Sequence, residues 1–107
     1  MPESKNNFSF GEMMESPALI IRGPFDFMDN KIDMWVDDQI GKGNSSIVLD
    51  LSKTHYITAI GIAALFKCIK KVNGANGLIH IIGATEDMME LIRLGKMDQY
   101  VSYLVTE

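Results

Sequence analysis

Two histidines, one cysteine and a handful of loop carboxylates are the residues of this chain with chemical reach. His55 stands in a polar loop. His80 alternates with Ile79 and Ile81, so it reads as a residue on one face of a strand rather than as a base. Neither histidine has a cysteine or serine arranged beside it in the way a nucleophile and its base require. Cys68 falls on the apolar face of a helical pattern, which predicts a buried thiol and not a reactive one. No His, Cys or carboxylate spacing typical of a metal centre occurs, and no glycine-rich phosphate loop leads into Lys and Ser or Thr. These patterns argue against an enzyme and predict neither a metal nor a cofactor. What remains is three polar loops, at 23–28, 52–60 and 83–85, each ending where a helix begins. Free N–H groups and the helix dipole favour negative charge at such places.

The elements that must position those loops follow from periodicity. Residues 8–14 and 18–22 read as two extended segments, with Glu15-Ser16 as the turn between them and Gly23-Pro24 as the stop. Met28, Ile32, Trp35, Val36 and Ile40 recur at helical spacing, with Asp29 as N-cap and Gly41 and Gly43 at the end. Residues 45–51 form a compact apolar run of the kind buried on both faces of a parallel sheet. A second helix is expected over 60–72, turning Ala64, Leu65, Cys68, Ile69 and Val72 inward and Lys67, Lys70 and Lys71 outward. Residues 78–82 give another buried strand. Thr85 then caps a third helix that buries Met88, Leu91 and Ile92 and stops at Gly95, and residues 100–105 supply a last strand. The order β-β-α-β-α-β-α-β predicts an α/β fold: a five-stranded mixed sheet with helices packed on it. Asp29, Asp33, Asp37 and Asp38 give the first helix an acidic face, and the lysines give the second a basic edge. Solvation is the default reading of both, with a basic groove as the alternative contact for the acidic face.

The 107 residues suit one domain, expected over 8–107, with 1–7 as a flexible polar segment. Apolar residues make up 47% and charged residues 22%, ordinary values for a globular chain. A net charge of −4 argues against nucleic acid as partner. A single cysteine, no apolar signal core and no bilayer-length apolar run predict a cytoplasmic protein with no membrane association.

Residues 47–65 read Ile-Val-Leu-Asp-Leu-Ser-Lys-Thr-His-Tyr-Ile-Thr-Ala-Ile-Gly-Ile-Ala-Ala-Leu. A buried strand passes through a polar loop and an aromatic-apolar pair into a four-residue turn that opens a helix. This resembles the STAS domain family, named for sulphate transporters and anti-sigma-factor antagonists. Its members carry a strand ending Leu-Asp-Leu-Ser, a hydrophobic pair, and Asp-Ser-Ser/Thr-Gly at the start of a helix. Arg22-Gly23-Pro24-Phe25-Asp26-Phe27 stands where the family has Gly-x-hydrophobic-Asp, and the strand ending in Gly83 and the segment 91–100 fit its later elements. The likeness covers roughly residues 8 to 105.

In the antagonist branch the Ser or Thr before the turn glycine is phosphorylated by a partner kinase that is also an anti-sigma factor or switch protein. The resemblance therefore implies a regulatory interaction module whose partner is an anti-sigma factor or a serine kinase of the histidine-kinase-like ATPase type. It implies a docking surface of Asp26, Phe27, Tyr56, Thr58, Ala59, Ile60, Gly61, Gly83 and Thr85. The acceptor position here is Ile60, the preceding serine position is Ala59 and the acidic position is Thr58, so the usual phosphoacceptor is missing. Ile60 is either an exposed apolar anchor or folded inward. Thr58 is either a helix cap or a displaced acceptor, and Asp26 either shapes the partner surface or caps its own loop. A small-ligand sensor for an anion or nucleotide is the alternative function. Family members commonly add a C-terminal helix, which is short or absent here, and a second copy covering the last strand would make a homodimer.

Overall fold

Side-chain alternation builds the sheet and 3.6-residue periodicity builds the layer that covers it. The computed structural model describes residues 7–104. Strand β1 (Phe8–Met13) runs antiparallel to β2 (Ser16–Arg22). Helix α1 (Asn30–Gly41) leads to β3 (Ser46–Lys53), α2 (Ala59–Gly74) to β4 (Leu78–Ile82), and α3 (Glu86–Leu94) to β5 (Val101–Leu104) through a 3₁₀ turn at Asp98–Tyr100. The strands lie in the order β1-β2-β3-β4-β5, and every pair from β2 onward is parallel. This is the five-stranded mixed sheet that the order of the elements predicts.

A parallel sheet whose order follows the chain places each right-handed crossover on the same face. The packing agrees. Leu19 and Ile21 of β2, Ile47, Leu49 and Leu51 of β3, and Ile79 and Ile81 of β4 share one buried cluster with side chains from all three helices. The intervening Ala18, Val48 and Ile82 point the other way and join a smaller cluster with Met13 and Leu104. The helices therefore all start at the carboxyl ends of the strands and finish at their amino ends.

Several local expectations need correction. The hairpin turns at Met14-Glu15, not Glu15-Ser16. Both residues adopt left-handed φ angles of 54° and 63°, and Pro17 sits inside β2 opposite Glu12. Met28 lies ahead of α1 and is exposed. Gly41 is within the helix, and Lys42 provides its C-cap. Helix α2 starts one residue earlier and ends two later than its apolar stripe suggests. Leu91 is 39% exposed, because a nine-residue helix rests on the narrow stripe of Met88 and Ile92. Tyr100 belongs to the 3₁₀ turn and not to the last strand, and Val105 lies outside the described residues. Residues 1–6 of the segment expected to be flexible also lie outside them. Asn7 is tied down, its carbonyl accepting the Arg22 N–H at 2.7 Å.

The acidic face of α1 and the basic edge of α2 are not merely solvated. They meet each other. Lys67 reaches Asp33 at 2.7 Å, and Lys71 reaches Asp37 at 3.0 Å and Asp33 at 3.9 Å. The hydrogen bond to Asp33 and its charge raise the Lys67 pKa above its ordinary value. Beneath these pairs Cys68 is buried, and desolvation, reinforced by Asp33, pushes its thiol up to about 12. The thiol is buried, as its place on the apolar stripe predicts.

Candidate functional site

Three loops converge on the carboxyl end of the sheet, and backbone contacts fix two of them together. Phe25 pairs with Ile57 in an isolated parallel bridge: the Phe25 N–H donates to the Tyr56 carbonyl at 3.0 Å, and the Thr58 N–H donates to the Phe25 carbonyl at 3.1 Å. Gly61 locks the arrangement. A Cβ built on it would lie 1.9 Å from the Phe25 carbonyl oxygen, so only glycine allows the first turn of α2 to press against the 25–27 loop. The third loop is held similarly. Gly83 has a φ of 76°, and a Cβ there would lie 2.5 Å from Ser52 Cα at the end of β3. Ser52 is itself fastened to buried Asp50, whose Oδ1 accepts from the Ser52 N–H at 2.9 Å and from its hydroxyl at 2.6 Å.

Each helix start is capped by a side chain. Asp29 accepts from Lys31 N–H at 2.8 Å, Thr58 from Gly61 N–H at 3.4 Å, and Thr85 from Met88 N–H at 3.1 Å. Thr58 is thus a helix cap and half-buried. The capped amides leave less of each helix N-terminus open to a bound anion. The first turn of α3 adds Glu86 and Asp87, and exposed Asp26 lies on the neighbouring loop, giving this end negative charge.

Between these carboxylates the 56–61 turn presents two large apolar side chains outward. Ile60 is 56% exposed and Tyr56 54%, while Gly61 between Ile60 and the core is buried. Ala59, Gly83 and Thr85 are exposed as well. Phe27 is half-buried, stacking on Phe8 and tilted against Phe25, so it supports the loop more than it faces solvent. Met28, 49% exposed at the entry to α1, escapes the sequence reading because its spacing to Ile32 imitates an inward helical position. The only available signal is its place immediately before the capping Asp29. His55 is exposed and His80 lies half-buried on β4, far apart along the chain and in no hydrogen bond to each other. Among the described residues no group of three or more His, Cys, Asp or Glu is placed to hold a metal ion, and no helix is long and apolar enough to cross a membrane.

The STAS domain profile matches residues 17–106, most of the chain and all three loops. The chain belongs to the STAS domain family. Among solved structures, unphosphorylated SpoIIAA, an anti-sigma factor antagonist, is 12% identical, with a TM-score of 0.73 over 94% of this chain and 89% of that one. The phosphorylated form of SpoIIAA, described as a Bacillus cell fate determinant, is 14% identical with a TM-score of 0.68 over 94% and 92%. An anti-sigma factor antagonist from Mycobacterium paratuberculosis is 13% identical, with a TM-score of 0.64 over 90% and 82%. At such identities the likeness establishes the STAS fold and leaves the residues of the turn to speak for themselves. No curated protein sequence matches the chain. Within the STAS fold, Ile60 stands exposed at the start of a helix whose buried Gly61 packs against the Phe25 carbonyl.

Proposed function

We propose that this STAS domain, acting as the single domain of residues 8–107 in the cytoplasm, is a non-catalytic regulatory module that docks a protein partner through the 56–61 turn. The partner is an anti-sigma factor or serine kinase of the histidine-kinase-like ATPase type, by analogy with the antagonists that share the fold. One observation carries the reading: Ile60 is 56% exposed while its neighbour Gly61 is clamped against the Phe25 carbonyl. A large aliphatic side chain held out at a helix start, with Tyr56 beside it in the same turn, is the kind of anchor that fills a partner's pocket. Because position 60 has no hydroxyl, docking there runs without phosphorylation at the usual place. The capped amides and surrounding carboxylates favour this reading over an anion sensor at the same end. Among the described residues no strand pairs with the outer edge of β5, which leaves room for a second copy.

Affinity capture from the source cells, with captured proteins identified by mass spectrometry, tests the proposal. Wild type is expected to retain an ATPase of the stated type, and Ile60→Asp to lose it. Equal recovery by the two proteins would remove the turn from the interface. Intact mass after incubation with ATP and the captured partner is expected to stay unchanged, and a phosphate on Thr58 would contradict the absence of a switch.

A further inference from the structure

The amino ends of the parallel strands carry a groove that the docking surface does not use. Helix α2 delivers Lys70, Asn73 and Gly74 to it, and the turn after α3 delivers Gly95, Lys96 and Met97, with Gln99 and Tyr100 closing the side. Its volume is about 400 Å³, within the range of small-molecule sites. From Ile60 the groove residues of α2, Lys70 to Gly74, lie roughly 15 to 21 Å along the helix at 1.5 Å per residue, so both places can be occupied at once.

Charge marks this groove as unusual in a chain of net charge −4. Lys42, Lys53, Lys67 and Lys71 each lie within 4 Å of a carboxylate. Lys31, Lys70 and Lys96 have no such partner among the described residues; two of these three share this groove, whose lining contains no carboxylate. Two helices end here, and each C-terminus contributes about half a negative charge. Two full lysine charges exceed that by about one unit. At the helix ends Gly95 N–H donates to Leu91 O and Ala75 N–H to Val72 O, which satisfies two of the terminal carbonyls. Lys96 occupies a left-handed conformation, φ 61°, where glycine or asparagine is usual. The glycine stands one place earlier, at position 95, because the Phe66 ring lies 2.4 Å from where its Cβ would be. The backbone thus holds a lysine at the lip in a conformation that costs about 1 kcal/mol.

We infer that this groove binds a small free anion bearing a phosphate or diphosphate group. Lysine ammonium groups bind phosphate oxygens as point charges, and two of them at one groove suit a ligand that carries more than one negative charge. Arg93 is engaged with Glu90 and does not line the groove. The amides of Asn73 and Gln99 and the Tyr100 hydroxyl add neutral hydrogen-bonding groups, and half-buried Met97 and Tyr100 supply apolar surface for the ligand's body. The assignment is independent of docking at the turn.

Titration of the full chain with inorganic pyrophosphate at low ionic strength, followed through backbone amide shifts, tests it. Saturable shifts are expected at residues 73–74, 95–97 and 99–100. Lys70→Gln and Lys96→Gln, both on exposed side chains, are each expected to weaken binding about tenfold, the loss of one charge-assisted contact. Lys31→Gln, at the far end of the molecule, is expected to change nothing. Shifts that fail to saturate or spread evenly over all lysines would overturn the inference, as would a double variant that titrates like wild type. Citrate binding as tightly as pyrophosphate would overturn the phosphate assignment.

Discussion

Ile60 and Gly61 are adjacent and face opposite demands. Gly61 is buried against the Phe25 carbonyl and tolerates no side chain, while Ile60 projects into solvent. Gly61→Ala is expected to cost about 3 kcal/mol or more by forcing α2 off the 25–27 loop, measurable as a lower midpoint in denaturant unfolding. Ile60→Asp is expected to leave that midpoint nearly unchanged. The chain alone leaves the direction of Ile60 open, since it stands four residues before Ala64 and eight before Cys68, both buried. The first turn of α2 projects past the sheet, so the stripe that buries those residues finds nothing to pack on at position 60. Cys68 is the opposite case, legible at once from its apolar stripe. Its folded pKa of about 12 lies above the ordinary value of 9.0, so the folded state holds a proton that the unfolded state releases. Stability from this group is therefore complete below pH 9 and lost as pH rises toward 12, and Cys68→Ala is expected to flatten that fall in thermal unfolding curves recorded between those pH values.

At the scale of elements, strand and helix periods place all five strands and three helices, because burial on one side of the sheet imposes them. What periodicity misses are ends and meetings. The turn at Met14-Glu15 forces two ordinary residues into left-handed φ, a geometry that usually selects Asn-Gly. Glu15→Gly is expected to raise stability by about 1 kcal/mol, readable as a higher unfolding midpoint, while a decrease would show that Glu15 makes a contact the strain serves. The acidic face of α1 and the lysines of α2 are each visible in the chain, but their pairing is a product of topology, since parallel neighbours bring consecutive crossover helices side by side. Leu91 shows the converse error. Helical spacing alone treats it as a core residue, though a short helix has room for only one buried row.

For the whole molecule, the fold and the family were readable because the Leu-Asp-Leu-Ser strand, the turn and the small-residue helix are set by one packing problem: seating a helix start against the 25–27 loop. The end of the sheet that results gathers three capped helix starts, the exposed Tyr56 and Ile60, and Met28 on the adjoining loop. The site residues were less legible, because exposure at a helix start depends on where the sheet ends and not on local sequence. Amide hydrogen exchange of the chain, alone and with the ATPase-type protein that the proposal expects it to capture, tests docking at this end most directly. The account predicts slowed exchange on binding at residues 55–63 and 25–29, with the outer edges of the sheet unchanged. Protection confined to those edges, with the turn exchanging as in the free protein, would contradict it.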